Sequence, residues 1–426
     1  MNDISIISKD LLKSVILDQR ASFESRDTGV PREVLYSLKK IINSKQITLI
    51  TGLRRVGKST LLAQIARNYF KKNNYYYMSF EDERLSHFTV KDFDLLYQVM
   101  LEEYGEQSHF FLDEIQNIPE WERFVRRMHD AGYNFIVTGS NASLLSRELG
   151  TRLTGRYIQV DLYPFSFREY LKLKQFKVGR TTKDKSALTR HLKKYINSGG
   201  IPSAIRYPEI DIHQSLYNDV IYRDIVARYN LENTSSIKEL GSYLLSNVST
   251  LISYNKLKDL LKLGSVTTVK NYIEYFMDSW LFFIVNKYAY SVKEQSIAAK
   301  KIYSIDNGLI NKLGFSFSSN VGRLLENIVY LELKRKNNQV YYYKTKSGKE
   351  VDFYLPKVGA LIQVSQNIDN PETLSRELAA LDDARDELVL AGKKISTKLI
   401  TLDTPDNNVV LPATVDISNL SDFLLS

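Results

Sequence analysis

Short apolar runs alternate with helical patterns between residues 46 and 165. The apolar runs predict four β-strands, at residues 46–52, 74–80, 108–114 and 134–140. The stretches between them have the apolar spacing of helices, at residues 58–72, 92–105 and 119–132. Alternation of this kind predicts an α/β fold with a parallel sheet that is covered by helices on both faces. Ligands of such sheets bind beyond the carboxyl ends of the strands.

The rest of the chain shows three further patterns. Residues 166–234 are mostly helical in pattern and are interrupted by Ser-Gly-Gly-Ile-Pro at 198–202. Residues 235–304 contain three short helical patterns followed by strand-like runs, an order that suggests a winged helix-turn-helix. From about residue 319 a helix precedes three strand candidates, and a second helix and more short strands follow. We therefore predict four parts: a sheet-and-helix core at 1–165, a helical region at 166–234, a winged helix at 235–304 and a smaller C-terminal α/β domain at 305–426.

The first predicted strand runs into a glycine-rich segment, Gly-Leu-Arg-Arg-Val-Gly-Lys-Ser at 52–59. It matches G-x4-G-K-[ST] between a strand and a helix, the context in which this pattern binds nucleotide phosphates. The glycines let backbone N–H groups curl around phosphate oxygens, and the helix N-terminus adds its positive dipole end. Lys58 is expected to reach the β- and γ-phosphates, and the Ser59 hydroxyl is expected to ligate Mg²⁺. We assign nucleotide binding to Gly52, Arg54, Arg55, Val56, Gly57, Lys58, Ser59 and Thr60.

The third predicted strand ends in two neighbouring acids, Asp113 and Glu114. The parallel sheet places both at the edge where the phosphate loop lies. A carboxylate at Asp113 can hold Mg²⁺ through water, and Glu114 is placed to polarise the water that attacks the γ-phosphate.

The fourth predicted strand ends in Thr-Gly-Ser-Asn, and two arginines follow. Asn141 or Ser140 at this tip could sense the γ-phosphate or orient the attacking water. An arginine near the γ-phosphate would stabilise the charge that develops in the transition state. Of Arg152 and Arg156 we favour Arg156, with a surface salt bridge as the alternative. A role for either one in a neighbouring subunit's site would make the protein a homo-oligomer.

Composition narrows the class of protein. The chain of 426 residues has no cysteine, which excludes disulfides, zinc-finger spacing and a thiol nucleophile. No apolar stretch approaches the roughly 18 residues of a membrane span, and the start has no secretion-signal pattern. We therefore expect a cytoplasmic protein with no membrane partner. The formal net charge of +9 fits a polyanionic partner as well as a solvated basic surface.

Together these motifs resemble prokaryotic AAA-superfamily ATP-binding proteins. The C-terminal part of that group is a domain of unknown function that looks like a degenerate PD-(D/E)XK, restriction-endonuclease-like fold. The resemblance implies a P-loop ATPase core that uses ATP and Mg²⁺, a helical lid and a winged helix. In related nucleotide switches a Gly-x-Pro turn of the lid touches the nucleotide, which gives that role to Pro202. The matching stretches run from about residue 34 to 365, and include residues 51–62, 110–118, 137–157, 199–202, 267–276, 301–309, 325–333 and 349–355.

The resembled nuclease fold needs clustered carboxylates that hold a metal ion and a lysine that helps to activate water. Glu326 and Asp352 fit the carboxylate positions. The next strand should carry acid-x-lysine but has Gln363 and Ser365 instead. Glu350 lies on the same strand face as Asp352 and could partly replace the lost acid, but nothing evident replaces the lysine. The sequence therefore favours an inherited scaffold over an active nuclease, and leaves binding of nucleic acid or a partner protein open.

Evidence for DNA contact is balanced. Residues 235–303 contain nine lysines and five acids, and the predicted recognition helix at 265–276 offers Thr267, Thr268, Lys270 and Asn271 for phosphates or base edges. A single lysine on that helix is weak evidence for sequence-specific recognition of DNA, and winged helices also serve as packing modules. The leading hypothesis is an Mg²⁺-dependent ATPase that works as a switch or motor. The alternatives are an ATP-bound scaffold without hydrolysis and, less favoured, an ATP-regulated nuclease.

Overall fold

The computed structural model describes residues 7–70, 74–140, 155–315, 321–403 and 414–426. The chain forms two compact units. The first comprises residues 1–162 with 278–280, and the second comprises residues 163–277 with 281–426. No helix within the described ranges is both long and apolar enough to cross a membrane.

The first unit is built around a five-stranded parallel sheet. Its strands lie in the order β2-β3-β4-β1-β5, so that the first strand is flanked by the fourth and the fifth. The strands are β1 (Ile47–Thr51), β2 (Tyr76–Ser79), β3 (His109–Asp113), β4 (Asn134–Gly139) and β5 (Tyr157–Asp161). The helices are α1 (Lys9–Ser25), α2 (Leu35–Asn43), α3 (Lys58–Tyr69), α4 (Phe93–Tyr104) and α5 (Trp121–Asp130).

The α/β fold with a parallel sheet is confirmed for this unit. All residues of β1 are buried, and so are the last four of β3; continuous burial is what interior strands of a parallel sheet require. The four predicted strands and three predicted helices are present. The sequence pattern did not reveal the fifth strand, β5, which has no continuous apolar run and only one fully buried residue among its five.

The second unit begins with helices. These are α6 (Phe167–Leu173), α7 (Thr182–Ser198), α8 (Pro202–Arg206), α9 (Ile212–Asp219), a π-helix (Val220–Val226) and α10 (Thr234–Ser246). A small antiparallel sheet in the order β6-β8-β7 follows. The strands of this sheet are β6 (Leu251–Ile252), β7 (Phe282–Val285) and β8 (Lys300–Ser304). The helices that lie between them in the sequence are α11 (Tyr254–Leu260), α12 (Val266–Asp278) and α13 (Val292–Ile297). This element order agrees with the sequence pattern, and its function as a winged helix stays a prediction.

A second five-stranded sheet, in the order β13-β12-β11-β10-β9, forms the C-terminal part of this unit. Strands β9, β10 and β11 pair antiparallel, whereas β11, β12 and β13 pair in parallel. The predicted helix and three strand candidates are confirmed. The elements are α14 (Asn307–Leu313), α15 (Val321–Arg335), β9 (Tyr341–Lys344), β10 (Glu350–Leu355), β11 (Ala360–Ser365), α16 (Pro371–Leu390), β12 (Ser396–Thr401), β13 (Val415–Asn419) and α17 (Leu420–Leu425).

Candidate nucleotide-binding site

The loop between β1 and α3 has a backbone path that only glycine permits at two points. A Cβ atom on Gly52 would lie 2.4 Å from the carbonyl oxygen of Leu162, closer than any real contact. Gly57 caps α3 with φ 99°, in the left-handed region, where a side chain is strained. Arg55 also has a positive φ, of 60°. This curled backbone ends at the N-terminus of α3, where N–H groups lack partners within the helix, and an anion is favoured there.

Lys58 is buried at the base of this loop. Its ammonium Nζ donates to the carbonyl oxygens of Gly52 at 3.2 Å and Leu53 at 3.3 Å. It also forms an ion pair with Glu114, with 3.1 Å between Nζ and Oε1. Among the described residues, its hydrogen-bond and ion-pair partners are therefore one carboxylate and two neutral carbonyl oxygens of its own loop.

The two acids after β3 face this lysine and the helix N-terminus. Asp113 is buried and accepts a short hydrogen bond from the hydroxyl of Thr138 on β4. The same hydroxyl accepts from the backbone N–H of Glu114 at 3.0 Å. Glu114 has φ 51° and ψ 44°, so the chain turns sharply after Asp113. Gln116 donates to the other oxygen of Glu114 at 2.6 Å.

The two carboxyl groups have opposite pKa shifts. Burial and the charge of Glu114 raise the pKa of Asp113, against hydrogen bonds from Ser59 and Thr138. Burial also opposes ionisation of Glu114, but the charge and hydrogen bond of Lys58 and the hydrogen bond of Gln116 lower its pKa below the ordinary value. At neutral pH Glu114 is therefore a carboxylate, the form that accepts a proton from water. Asp113 is a buried oxygen ligand whose ionised form a nearby cation would favour.

The remaining predicted loop residues lie in the same place. Val56 is buried, and Arg54 pairs with Glu81 at 3.2 Å. Ser59 and Thr60 are half-buried in the first turn of α3, and Arg55 is exposed. The structure thus brings together the loop, Lys58, Ser59, Asp113 and Glu114.

A segment before β1 also reaches this site, and the sequence pattern did not indicate it. The buried Arg32 donates from its guanidinium to the carbonyl oxygen of Val56 at 2.9 Å, and its backbone N–H donates to Gln64 on α3 at 3.1 Å. The Gln64 amide donates in turn to the carbonyl oxygens of Thr28 and Val30, both at 2.7 Å. Residues 28–32 are therefore fixed against the phosphate loop. A buried arginine and glutamine carry no signal in a single sequence.

One of the predicted residues that follow β4, Arg156, is not brought to the loop by the described structure. Arg156 lies just before β5, and its carbonyl oxygen accepts from the N–H of Ile47 at the first residue of β1. Because β1 and β5 run in parallel from Ile47 and Tyr157, Arg156 is at the amino edge of the sheet, about 20 Å along the strand from Gly52 at about 3.3 Å per residue. It forms an ion pair with Asp130.

The other candidates after β4 divide into two groups. Asn141 and Arg152 lie outside the described residues. Ser140 is buried at the tip of β4, where its hydroxyl accepts from Gln116 at 3.4 Å. Ser140 is therefore linked through Gln116 to Glu114, at the predicted edge of the sheet.

Pro202 lies in the second unit as the first residue of α8. The turn before it is held by Asp306, whose carboxylate accepts from the N–H groups of Gly200 at 2.5 Å and Gly308 at 2.8 Å. A Cβ atom on Gly199 would lie 2.1 Å from Asp306, so the glycine lets the carboxylate approach. This contact joins the Gly-Gly-Ile-Pro turn to the Ile-Asp-Asn-Gly segment, and the nucleotide contact of Pro202 stays a prediction.

The five residues of the predicted nuclease-like site also lie in the second unit. The carboxylates of Glu326, Glu350 and Asp352 converge on the ammonium of Lys301, which sequence reasoning had not assigned to this site. Gln363 lies beside the cluster without joining the ion pairs: its side-chain oxygen accepts from the backbone N–H of Asp352 at 3.1 Å, and its amide nitrogen donates to Glu377 at 2.7 Å. The Ser365 hydroxyl donates to a backbone carbonyl, that of Asn367, at 3.0 Å.

Three family models match this chain. Residues 44–171 match a model described as an AAA domain. Residues 189–320 match a domain of unknown function (DUF8612), and residues 321–414 match another (DUF4143). The AAA match covers β1, the phosphate loop and both acids after β3.

Curated relatives extend over most of the chain. The uncharacterized protein MJ1544 of Methanocaldococcus jannaschii is 35% identical over 417 residues, which cover 93% of this chain and 90% of that protein. An uncharacterized protein of Haemophilus influenzae is 30% identical over 375 residues, which cover 84% of this chain and 92% of that protein.

Solved structures with a similar chain trace are more distant. The Aeropyrum pernix Orc1 protein in complex with DNA has a TM-score of 0.35 at 13% identity, and the match covers 69% of this chain and 94% of that chain. Cdc6p from Pyrobaculum aerophilum has a TM-score of 0.30 at 12% identity, and the match covers 72% of this chain and 97% of that chain.

Proposed function

The chain belongs to the family that includes MJ1544 and the Haemophilus influenzae protein, and from the AAA domain at residues 44–171 we propose that it is an Mg²⁺-dependent ATPase. One observation carries the proposal. A buried lysine, a curled loop at a helix N-terminus and two carboxylates with opposite pKa shifts converge at one edge of a parallel sheet.

Phosphate binding follows from the charges at the loop. Lys58 pairs with one carboxylate, that of Glu114, and donates to two uncharged carbonyl oxygens. A triphosphate offers the ammonium stronger acceptors, and the N-terminus of α3 adds a favourable dipole. Binding therefore exchanges Glu114 for phosphate oxygens as the partner of Lys58, and this exchange frees Glu114.

Mg²⁺ fits the donor set beside the loop. The Ser59 hydroxyl and the Asp113 carboxylate are hard oxygen ligands of the kind that Mg²⁺ prefers. Asp113 is buried with a raised pKa, and a bound cation would favour its ionised form. These two residues would hold the ion directly or through water, and the ion would neutralise charge on the phosphates. Thr138 keeps the Asp113 carboxylate oriented through its hydrogen bond.

Hydrolysis is assigned to Glu114. Once released from Lys58, this carboxylate accepts a proton from the attacking water, while Gln116 fixes its second oxygen. A role for Arg156 is proposed only in the site of a neighbouring copy, because its strand register puts it at the far edge of its own sheet. We also propose that turnover drives the second unit as a switch or motor, with DNA as one candidate partner through the α12 residues Thr267, Thr268, Lys270 and Asn271.

Phosphate release by the purified chain tests the proposal. We expect turnover with Mg²⁺ and ATP, none in Lys58→Ala, and a loss of about a thousandfold in Glu114→Gln, within the range for a general base. Glu120→Gln is a matched control, since Glu120 shares the left-handed backbone of Glu114 but pairs with Arg123 at the surface. Unchanged turnover in Glu114→Gln would overturn the mechanism.

The same assay separates the alternatives when it is repeated with single-stranded, double-stranded and no DNA. Stimulation by either form of DNA supports the motor acting on DNA. ATP that binds without turnover under all three conditions supports the scaffold instead.

A further inference from the structure

A second buried lysine lies at the centre of an acidic cluster in the second unit. Lys301 is on β8, and its Nζ is 2.9 Å from Glu326, 2.8 Å from Glu350 and 2.8 Å from Asp352. Glu326 comes from α15, and the other two carboxylates come from β10. The side chain of Lys301 is 3% exposed. Three elements that are distant in sequence thus meet at one ammonium group.

The hydrogen bonds of this cluster are complete around the lysine. An ammonium has three protons, and three carboxylates receive them at charge-assisted distances. Glu326 also accepts from the hydroxyl of Tyr303 at 2.6 Å, and the second oxygen of Asp352 accepts from the N–H of Val364 at 3.0 Å. Burial alone would lower the pKa of Lys301, but the charges of Asp352 and Glu326 hold it well above the ordinary value. The lysine is therefore a permanent cation.

The nuclease resemblance implies a metal ion at these carboxylates, and this structure does not fit one. Mg²⁺ requires oxygens at about 2.0–2.1 Å in near-octahedral geometry, and its centre would have to lie where Nζ lies. In the part of the chain that the structure describes, no group of three or more His, Cys, Asp or Glu side chains is arranged to hold a metal ion. The residues at the acid-x-lysine positions bring no further charge to the cluster: Gln363 is hydrogen-bonded to the backbone N–H of Asp352 and to Glu377, and Ser365 to the carbonyl of Asn367.

We infer that Lys301 replaces the metal ion: its ammonium is the resident cation of the three-carboxylate site and joins β8 to α15 and β10. The second unit is accordingly a metal-independent module in which an ionic contact holds its small sheet to its C-terminal sheet. This inference is independent of the ATPase proposal, because every residue in it lies outside the first unit.

Titration of the nucleotide-free full chain with MnCl₂ in a calorimeter tests this inference. We expect the wild type and Asp352→Asn to give the same Mn²⁺ binding, since the site already contains its cation. Lys301→Ala exposes three carboxylates without a cation and should gain one Mn²⁺ site, at least about tenfold tighter than any site in the wild type. That site should disappear in the double variant Lys301→Ala/Asp352→Asn. Lys300→Ala, one residue earlier on β8, is the matched control and should gain no site.

Several outcomes would overturn the inference. The first is a wild-type Mn²⁺ site that Asp352→Asn removes. Mn²⁺-dependent DNA cleavage by the wild type that the same variant abolishes would also do so, because Lys301 would then be a displaced water-activating lysine. A folded Lys301→Ala that binds no Mn²⁺ contradicts it as well. If Lys301→Ala is unfolded in buffer, Mn²⁺ should restore its cooperative thermal unfolding. In that case the comparison of Mn²⁺ binding by the wild type and by Asp352→Asn still tests the inference.

Discussion

The two units each bury a lysine among carboxylates, and the difference between the two sites separates a binding site from a structural one. Lys58 has one acidic partner and two neutral carbonyl partners beside a helix N-terminus. Lys301 has three acidic partners, one for each of its protons. The first lysine can exchange its carboxylate for a phosphate. The second has no proton left for a new ligand, and its carboxylates have no room for a metal ion.

The comparison shows that residue type alone does not define a site. Both sites contain a buried lysine and acidic side chains, and the sequence suggested a known catalytic pattern for the acids of each. The number of carboxylates around each lysine determines whether that lysine can accept a new anionic ligand. An excess of acids saturates Lys301, whereas the positive helix end near Lys58 favours an incoming anion.

The largest effect is expected from removal of the Lys301 charge. Lys301→Met keeps most of the side-chain volume but leaves three buried carboxylates without a cation, so we expect the free energy of unfolding of the second unit to fall by about 3–5 kcal/mol. Urea denaturation, followed by hydrogen exchange in peptides that contain β10, measures this change.

Lys300→Met provides the control for that loss. Lys300 is also buried, but its ammonium donates to the carbonyl of Gln295 and faces no carboxylate of the cluster. We expect about 1 kcal/mol for this single hydrogen bond. Equal losses of unfolding free energy in Lys301→Met and Lys300→Met would show that the three carboxylates do not contribute to the effect of Lys301. The contrast between the two lysine sites would then be wrong.

A change of pH is expected to alter the free energy of unfolding by a smaller amount. Burial and the charge of Asp352 raise the pKa of Glu326 from 4.5 to about 7. A raised pKa in the folded state means that stability present below pH 4.5 is lost as the pH rises to about 7, on the order of 3 kcal/mol. Urea denaturation at pH 4.5 and 7.5 should show this loss in the wild type and not in Glu326→Gln. Glu114 has a lowered pKa, so its contribution has the opposite sign and is lost as the pH falls. Parallel pH profiles of the wild type and Glu326→Gln would contradict this assignment.

The smallest effect concerns the hydroxyl that joins the two acids of the first unit. Thr138→Val removes the hydrogen bonds to Asp113 and from the N–H of Glu114, at about 1 kcal/mol for a hydrogen bond. We expect kcat/KM for ATP to fall about tenfold, which equals about 1.4 kcal/mol. Steady-state kinetics measure this loss. Thr48→Val on β1 is the control, because among the described residues the buried hydroxyl of Thr48 has no hydrogen-bond partner. Wild-type kinetics in Thr138→Val would remove Thr138 from the site.

The sequence was sufficient for the features that depend on neighbouring residues. The phosphate loop, the acids after β3 and the parallel sheet follow from a local pattern, because glycine turns and apolar runs act over a few residues. The same holds for the helix and strands that carry Glu326, Glu350 and Asp352.

The features that the sequence did not reveal depend on how distant segments pack. Lys301 was one of nine lysines between residues 235 and 303, and only packing selects it as the partner of Glu326 and Asp352. Arg32 reaches the phosphate loop from a segment before β1. The position of Arg156 follows from the register of β5 on β1, which periodicity does not determine. Each of these requires the tertiary fold.

Equilibrium binding of ATP with Mg²⁺ to three forms of the chain tests most directly whether Lys58 exchanges Glu114 for phosphate. We predict that the wild type binds one ATP, that Glu114→Gln binds at least as tightly because the competing carboxylate is gone, and that Lys58→Ala binds at least about 100-fold more weakly, a loss of about 2.7 kcal/mol. Binding by Lys58→Ala with the affinity of the wild type would contradict the account.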